Sequence, residues 1–167
     1  MKFRIIAAVL AVICGGLYGI NRSEKLKQNV DICLESEKLF RIAETMIRSS
    51  RTDVYTIFSM LKHESFNLLA FVNKLPDEYS AESDLHTEWK ELILKEANIP
   101  GEERSVLLDF GSVLGTCDTD GQMSGIEVCR ELMKECYNRR SSEYHTKAKL
   151  FRSLGILAGV MVGIIVI

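Results

Sequence analysis

Proline is almost missing from this chain: two residues in 167, at positions 76 and 100. Helix breakers that rare leave room for long helices and argue against a turn-rich all-β fold. Cysteine is scarce too. Cys14, Cys33, Cys117, Cys129 and Cys136 are odd in number and contain no CxxC, so neither a disulfide framework nor a thiolate zinc site is expected. Cys129 and Cys136 stand seven apart, would share one helix face, and read as core packing. There is no excess of positive charge, the net being −2, and no basic patch with interleaved aromatics. Nucleic acid is therefore not expected as a partner. The chain also lacks internal repeats and low-complexity stretches.

Catalytic constellations are missing as well. His63, His86 and His145 are scattered without partner spacing. The HESF run at His63 lacks the second histidine of a zinc-protease helix, and no P-loop or GxGxxG occurs. Glu102, Glu103 and Asp109 read as a solvated helix face rather than as a carboxylate pair. Neither an enzyme nor a cofactor or metal site is expected.

What the chain has instead is two apolar ends. Residues 5–20 are uncharged behind Lys2 and Arg4, and residues 153–167 are uncharged behind Arg152. Seventeen residues from position 151 make a helix of about 25 Å, near the ~30 Å hydrocarbon core of a bilayer. A cleaved leader is disfavoured because no convincing small-residue cleavage site follows Gly19. The expected organisation is a transmembrane helix at 1–20, a helical bundle at 21–150 and a transmembrane helix at 151–167. The fold class is all-α, an antiparallel helical bundle flanked by two membrane helices.

Apolar periodicity continues the first helix through 21–50, with Leu26, Val30, Cys33, Leu34, Leu39, Ala43, Met46 and Ile47 roughly at helical spacing. Short helices are expected at 54–61 and 66–75. A polar loop follows at 76–83, then a helix at 84–97 capped by Ser83, with Trp89, the single tryptophan, in the core. A helix at 102–114 should end at Gly115 as its C′ residue. From Asp120 a long helix should run to the second apolar end, packing through Ile126, Cys129, Met133, Cys136, Tyr137 and Tyr144.

Charge is polarised along this plan. From Asp77 to Asp120 twelve acids stand against three bases, Lys90, Lys95 and Arg104. Basic residues gather instead beside the apolar ends. The acidic region reads as solubility or as a docking surface for a basic partner, with Glu102, Glu103, Asp118, Asp120 and Gln122 as its candidate contacts. The basic region suits the anionic headgroups of a lipid bilayer and places the bundle in the cytoplasm by the positive-inside rule. Small residues repeat every fourth position at Ala7, Ala11, Gly15 and Gly19, and again at Gly155, Gly159 and Gly163. Such stripes let membrane helices approach closely, so a tight antiparallel hairpin or a neighbouring subunit's helix is expected against them.

IRSSRT after the first helix, the lone Trp89, LLDFGSVLGTCDTDGQ and the final LFRSLGILAGVMVGIIVI together give a chain that resembles the stage III sporulation protein AB family over nearly its whole length. It departs from that family's pattern at Asp53, where proline often follows the RT pair. The resemblance implies a non-enzymatic membrane component of the channel-like complex between mother cell and forespore. That family is similar in its helical domain to the platform proteins of type II secretion and type IV pilus systems. It implies a sporulation ATPase and other membrane subunits of the complex as partners, and a bundle facing the mother-cell cytoplasm. The alternative is a membrane-anchored sensor or regulator whose helical domain binds a small ligand.

Overall fold

The structure is a computed structural model that describes residues 2–50, 54–76, 84–115 and 118–166, with the side chains of 2–8, 11, 50, 165 and 166 left aside. Every regular element among the described residues is helical: α1 (Lys2–Ser50), α2 (Val54–His63), a 3₁₀ turn (Ala70–Lys74), α3 (Leu85–Lys95), α4 (Gly101–Val113) and α5 (Thr119–Val166). The chain divides into two compact units. One is Asp31–Asn138; the other joins Met1–Val30 to Arg139–Ile167.

Asp31–Asn138 is built around aromatic rings. Trp89 of α3 is 2% exposed. It stacks on Phe58 (5.6 Å between centroids), meets Phe71 edge-on (5.3 Å) and lies 5.7 Å from Phe110. Phe110 in turn stacks on Phe40 of α1 at 4.4 Å. The indole N–H, too costly to bury unpaired, donates to the Leu107 carbonyl at 2.8 Å. These contacts give a physical reason for the FGSVLG run. At position 111 any Cβ would collide with the Trp89 indole ring, so α4 needs glycine there to receive α3. At position 115 φ is +77°, the left-handed conformation that ends a helix and favours glycine. Gly125 of α5 repeats the first device, since a Cβ there would meet Val113 Cγ1 at 2.6 Å.

The helical plan needs correction at 66–75. Only Ala70–Lys74 is helical, and as a 3₁₀ turn. The reason lies across the bundle. The Glu35 carboxylate on α1 accepts the backbone N–H groups of Asn67 (3.0 Å), Leu68 (2.9 Å) and Leu69 (3.2 Å), and Asn98 Nδ2 donates to the Leu68 carbonyl at 2.8 Å. Glu35 thus holds the first-turn amides, which a helix also leaves unpaired, while Asn98 takes the Leu68 carbonyl that an α-helix would pair with Val72 N–H; that N–H bonds the Leu69 carbonyl instead, at 3.1 Å. The expected cap at Ser83 lies outside the described residues. Asp84 caps α3, its carboxylate accepting from Thr87 N at 3.2 Å and from the Thr87 hydroxyl at 2.9 Å. The latter bond lowers the Asp84 pKa below its ordinary value.

In the other unit α1 and α5 pair antiparallel. A Cβ at Gly15 would strike the Gly155 carbonyl oxygen and reach the Gly159 Cα at 3.0 Å; one at Gly19 would reach the Phe151 carbonyl oxygen at 2.5 Å. Gly19, Gly155, Gly159 and Gly163 are buried, while the side chains around them face outward. Among the described residues no helix is long and apolar enough to cross a membrane. Ala7 and Ala11, the outer part of the first small-residue stripe, have side chains outside the described set.

Candidate functional site

The residues assigned to a docking surface do not converge. Glu102 is exposed in the first turn of α4, while Asp118 and Asp120 are exposed at the start of α5. The thirteen residues of α4 separate them along the chain, about 20 Å of helix. Gln122 is half-buried, and its N–H belongs to the first turn of α5, bonded to the Asp118 carbonyl at 3.0 Å.

Glu103 departs from the reading of a solvated face, which holds for the exposed Glu102 and Asp109. It is 0% exposed, and its Oε1 accepts the Cys33 thiol at 3.7 Å. A carboxylate sealed in a core cannot meet a partner's surface. The helical register explains the placement: Glu103, Val106, Leu107 and Phe110 follow the i, i+3, i+4, i+7 spacing of one buried face. The first turn of α4 also favours a negative charge.

Other acids of the region are used locally. Glu91 pairs with Lys95 at 3.1 Å and Glu96 with Lys74 at 3.5 Å. Arg104, one of the region's few bases, donates to the carbonyls of Glu96 (2.7 Å) and Ile99 (3.0 Å), bracing the α3–α4 turn. His86 Nδ1 lies 2.9 Å from the Gly111 carbonyl oxygen, a structural contact. Asp77, Glu78 and Glu82 lie outside the described residues.

Asp118 and Asp120 do border an open groove of about 600 Å³ with Ile47, Arg48, Thr119 and Met123. Asp118 is also the cap of α5, accepting from Gly121 N at 3.1 Å. Arg48 at the groove is held by Glu44 (3.2 Å), whose other oxygen binds Arg130 of α5 at 2.8 Å. Basic groups do not converge there.

Cys14 is exposed, Cys33, Cys129 and Cys136 are buried, and these four are thiols rather than disulfides. Burial, with Asp109 adding repulsion, pushes the Cys129 thiol up to about 11, so it stays protonated and unreactive near neutrality. No group of three or more His, Cys, Asp or Glu suited to a metal occurs among the described residues.

The paired unit is the second candidate. Its outward residues include Val9, Leu17, Ile20, Leu154, Leu157 and Ile164, all strongly exposed. Beside them, at 21–30 and 139–152, eight basic side chains stand against two acidic ones. Glu143 binds Lys147 (2.8 Å) and Arg140 (3.4 Å), and the Lys147 bond lowers the Glu143 pKa.

The family model of stage III sporulation protein AB matches residues 4–167. This chain belongs to that family. It is accordingly a sporulation-associated protein. No curated protein and no solved structure matches it. Two of the motifs that carried the resemblance, the lone Trp89 and the FGSVLG run, coincide with packing devices of Asp31–Asn138: Trp89, Phe110, Gly111 and the positive-φ Gly115. Glu35 was not found from sequence. Its partners are more than thirty residues away along the chain, and no local pattern marks a carboxylate that caps distant amides.

Proposed function

We infer that this chain is a non-enzymatic membrane component of the channel or secretion-like complex of sporulation, scaffolding other membrane subunits and docking a cytoplasmic ATPase. On this reading the two apolar ends are retained as anchors in the cell membrane, and the bundle faces the mother-cell cytoplasm. One observation carries the membrane part: two helices meet backbone to backbone through glycine and turn large aliphatic side chains outward. In water such a pair would expose an apolar surface that only a partner or lipid can cover. In lipid, where apolar surface gives helices no reason to associate, close backbone contact is what holds them.

The docking part rests on family membership and on the exposed acids. Glu103 has no place among its contacts, so the surface reduces to Glu102, Asp118 and Asp120, with Gln122 at its margin. Reversing the three exposed acids together should weaken capture of the ATPase from sporulating cells, most at low salt where exposed charges attract farthest. The fold should persist: Glu102 and Asp120 are exposed charges that contribute less than about 1 kcal/mol each, and loss of the Asp118 cap costs about 0.5–2 kcal/mol. Undiminished capture at low salt would leave those acids as a solubility feature. The ligand-binding regulator is less favoured: the groove at Arg48 offers acids rather than a basic cradle for an anionic ligand.

A further inference from the structure

In the paired unit, Ser23 of α1 is buried although it sits among charged neighbours. Its hydroxyl accepts Arg152 Nε of α5 at 3.1 Å. That bond uses one of five guanidinium N–H groups and fixes the plane of the rest. The neighbouring residues also meet: Arg22 lies over the Phe151 ring, 5.8 Å from its centroid. Two guanidiniums, one on each helix, are thus oriented by neighbours at the same level of the pair. The backbones touch there as well, a Cβ at Gly19 lying 3.3 Å from the Arg152 Cα. Both arginines are exposed. On one side of this level the exposed residues become apolar on both helices, beginning with Ile20 and Leu154. On the other side lie Lys25 and Lys149, both exposed.

A ligand that fills such a place must carry an anionic oxygen cluster at one end and hydrocarbon at the other. Guanidiniums match phosphate oxygens in a planar fork that an ammonium does not reproduce. We propose that Arg22 and Arg152, the latter oriented by Ser23, form a binding site for the phosphodiester headgroup of an anionic phospholipid, whose chains lie along the exposed apolar faces of α1 and α5. Ser23 is a positioning residue, and the arginines make the contact. This rests on the membrane reading above and adds to it a defined lipid site in place of diffuse attraction.

The test uses the full chain in phosphatidylcholine vesicles carrying a small share of spin-labelled phosphatidylglycerol, compared with spin-labelled phosphatidylcholine. Flotation comes first, and a chain that does not float with the vesicles ends both the membrane reading and the site. For a chain that floats, the labelled anionic lipid should be immobilised in preference to the zwitterionic one. Removing either arginine (Arg22→Gln or Arg152→Gln) should cut the preference about fivefold, equivalent to the ~1 kcal/mol that one basic side chain gains at an anionic surface. Ser23→Ala, which changes no charge, should lower it too, and Arg152→Lys should fail to restore it. The Lys25→Gln/Lys27→Gln pair, which removes two charges elsewhere, should keep most of the preference. A preference that follows net charge alone, falling with the lysine pair and ignoring Ser23→Ala, overturns the site while leaving the membrane reading in place. Displacement of the labelled lipid by inorganic phosphate overturns it as a lipid site.

Discussion

Gly111 shows how much a single residue decides here. It is a hydrogen atom's width of space on α4 into which an indole fits, and Gly111→Ala drives a methyl group into Trp89. Overpacking of that kind costs about 1–3 kcal/mol, so the variant should unfold at lower denaturant with an unchanged slope, and Trp89 fluorescence is the natural probe. Glu35 makes the opposite case, a polar residue whose loss leaves three amides without a partner. Bonds to a charged acceptor are worth about 1.5–3 kcal/mol; Glu35→Ala should therefore destabilise by about that amount, whereas Glu37→Ala on the same helix should change little. Cys129 gives a pH dependence with a definite sign. Its folded-state pKa is raised from 9.0 to about 11, so the folded thiol holds its proton where the unfolded one has lost it. The stability it contributes is complete below about pH 9 and is lost as pH rises towards 11. Cys129→Ser should flatten unfolding curves across that window; an unaltered slope would mean that another group governs alkaline stability.

Among the elements, the pair formed by α1 and α5 depends on what is missing from their side chains. Gly15→Ile or Gly155→Ile places a branched side chain where the opposing backbone already sits and should separate the helices. Val160→Ile, on an exposed face, should not. Distances between spin labels at exposed positions such as Leu17 and Leu157 read this directly, and equal tolerance of the three substitutions would make the glycine spacing incidental. The 66–75 segment shows how an element is lost. Its sequence carries a helix-like apolar pattern, yet Asn98 takes the Leu68 carbonyl, Val72 N–H turns to the Leu69 carbonyl, and only a 3₁₀ turn remains.

For the whole molecule, the proposed topology has a direct measurement. The exposed Asn73 carries a reporter thiol as Asn73→Cys once Cys14 and Cys117 are replaced. In intact cells it should resist a membrane-impermeant reagent and react after permeabilisation; rapid labelling in intact cells would reverse the orientation. The polarised charge that motivates this topology is a property of composition along the chain. Its division into caps, ion pairs, a buried carboxylate and a few exposed acids is a property of the fold.

The sequence by itself determined the helical class, the two apolar ends, the core position of Trp89 and the glycine at the end of α4, because each follows from periodicity, hydropathy or backbone conformation within a few residues. The family, too, was legible in short motifs, two of which, the lone Trp89 and the FGSVLG run, have a packing reason where α3 meets α4. Tertiary structure alone decided that Glu103 is buried, that Glu35 organises a segment more than thirty residues away, and that Ser23 orients Arg152 from the other end of the chain. Those outcomes depend on which surfaces meet, and a polar side chain carries no local sign of whether it will meet water, a distant amide or another helix.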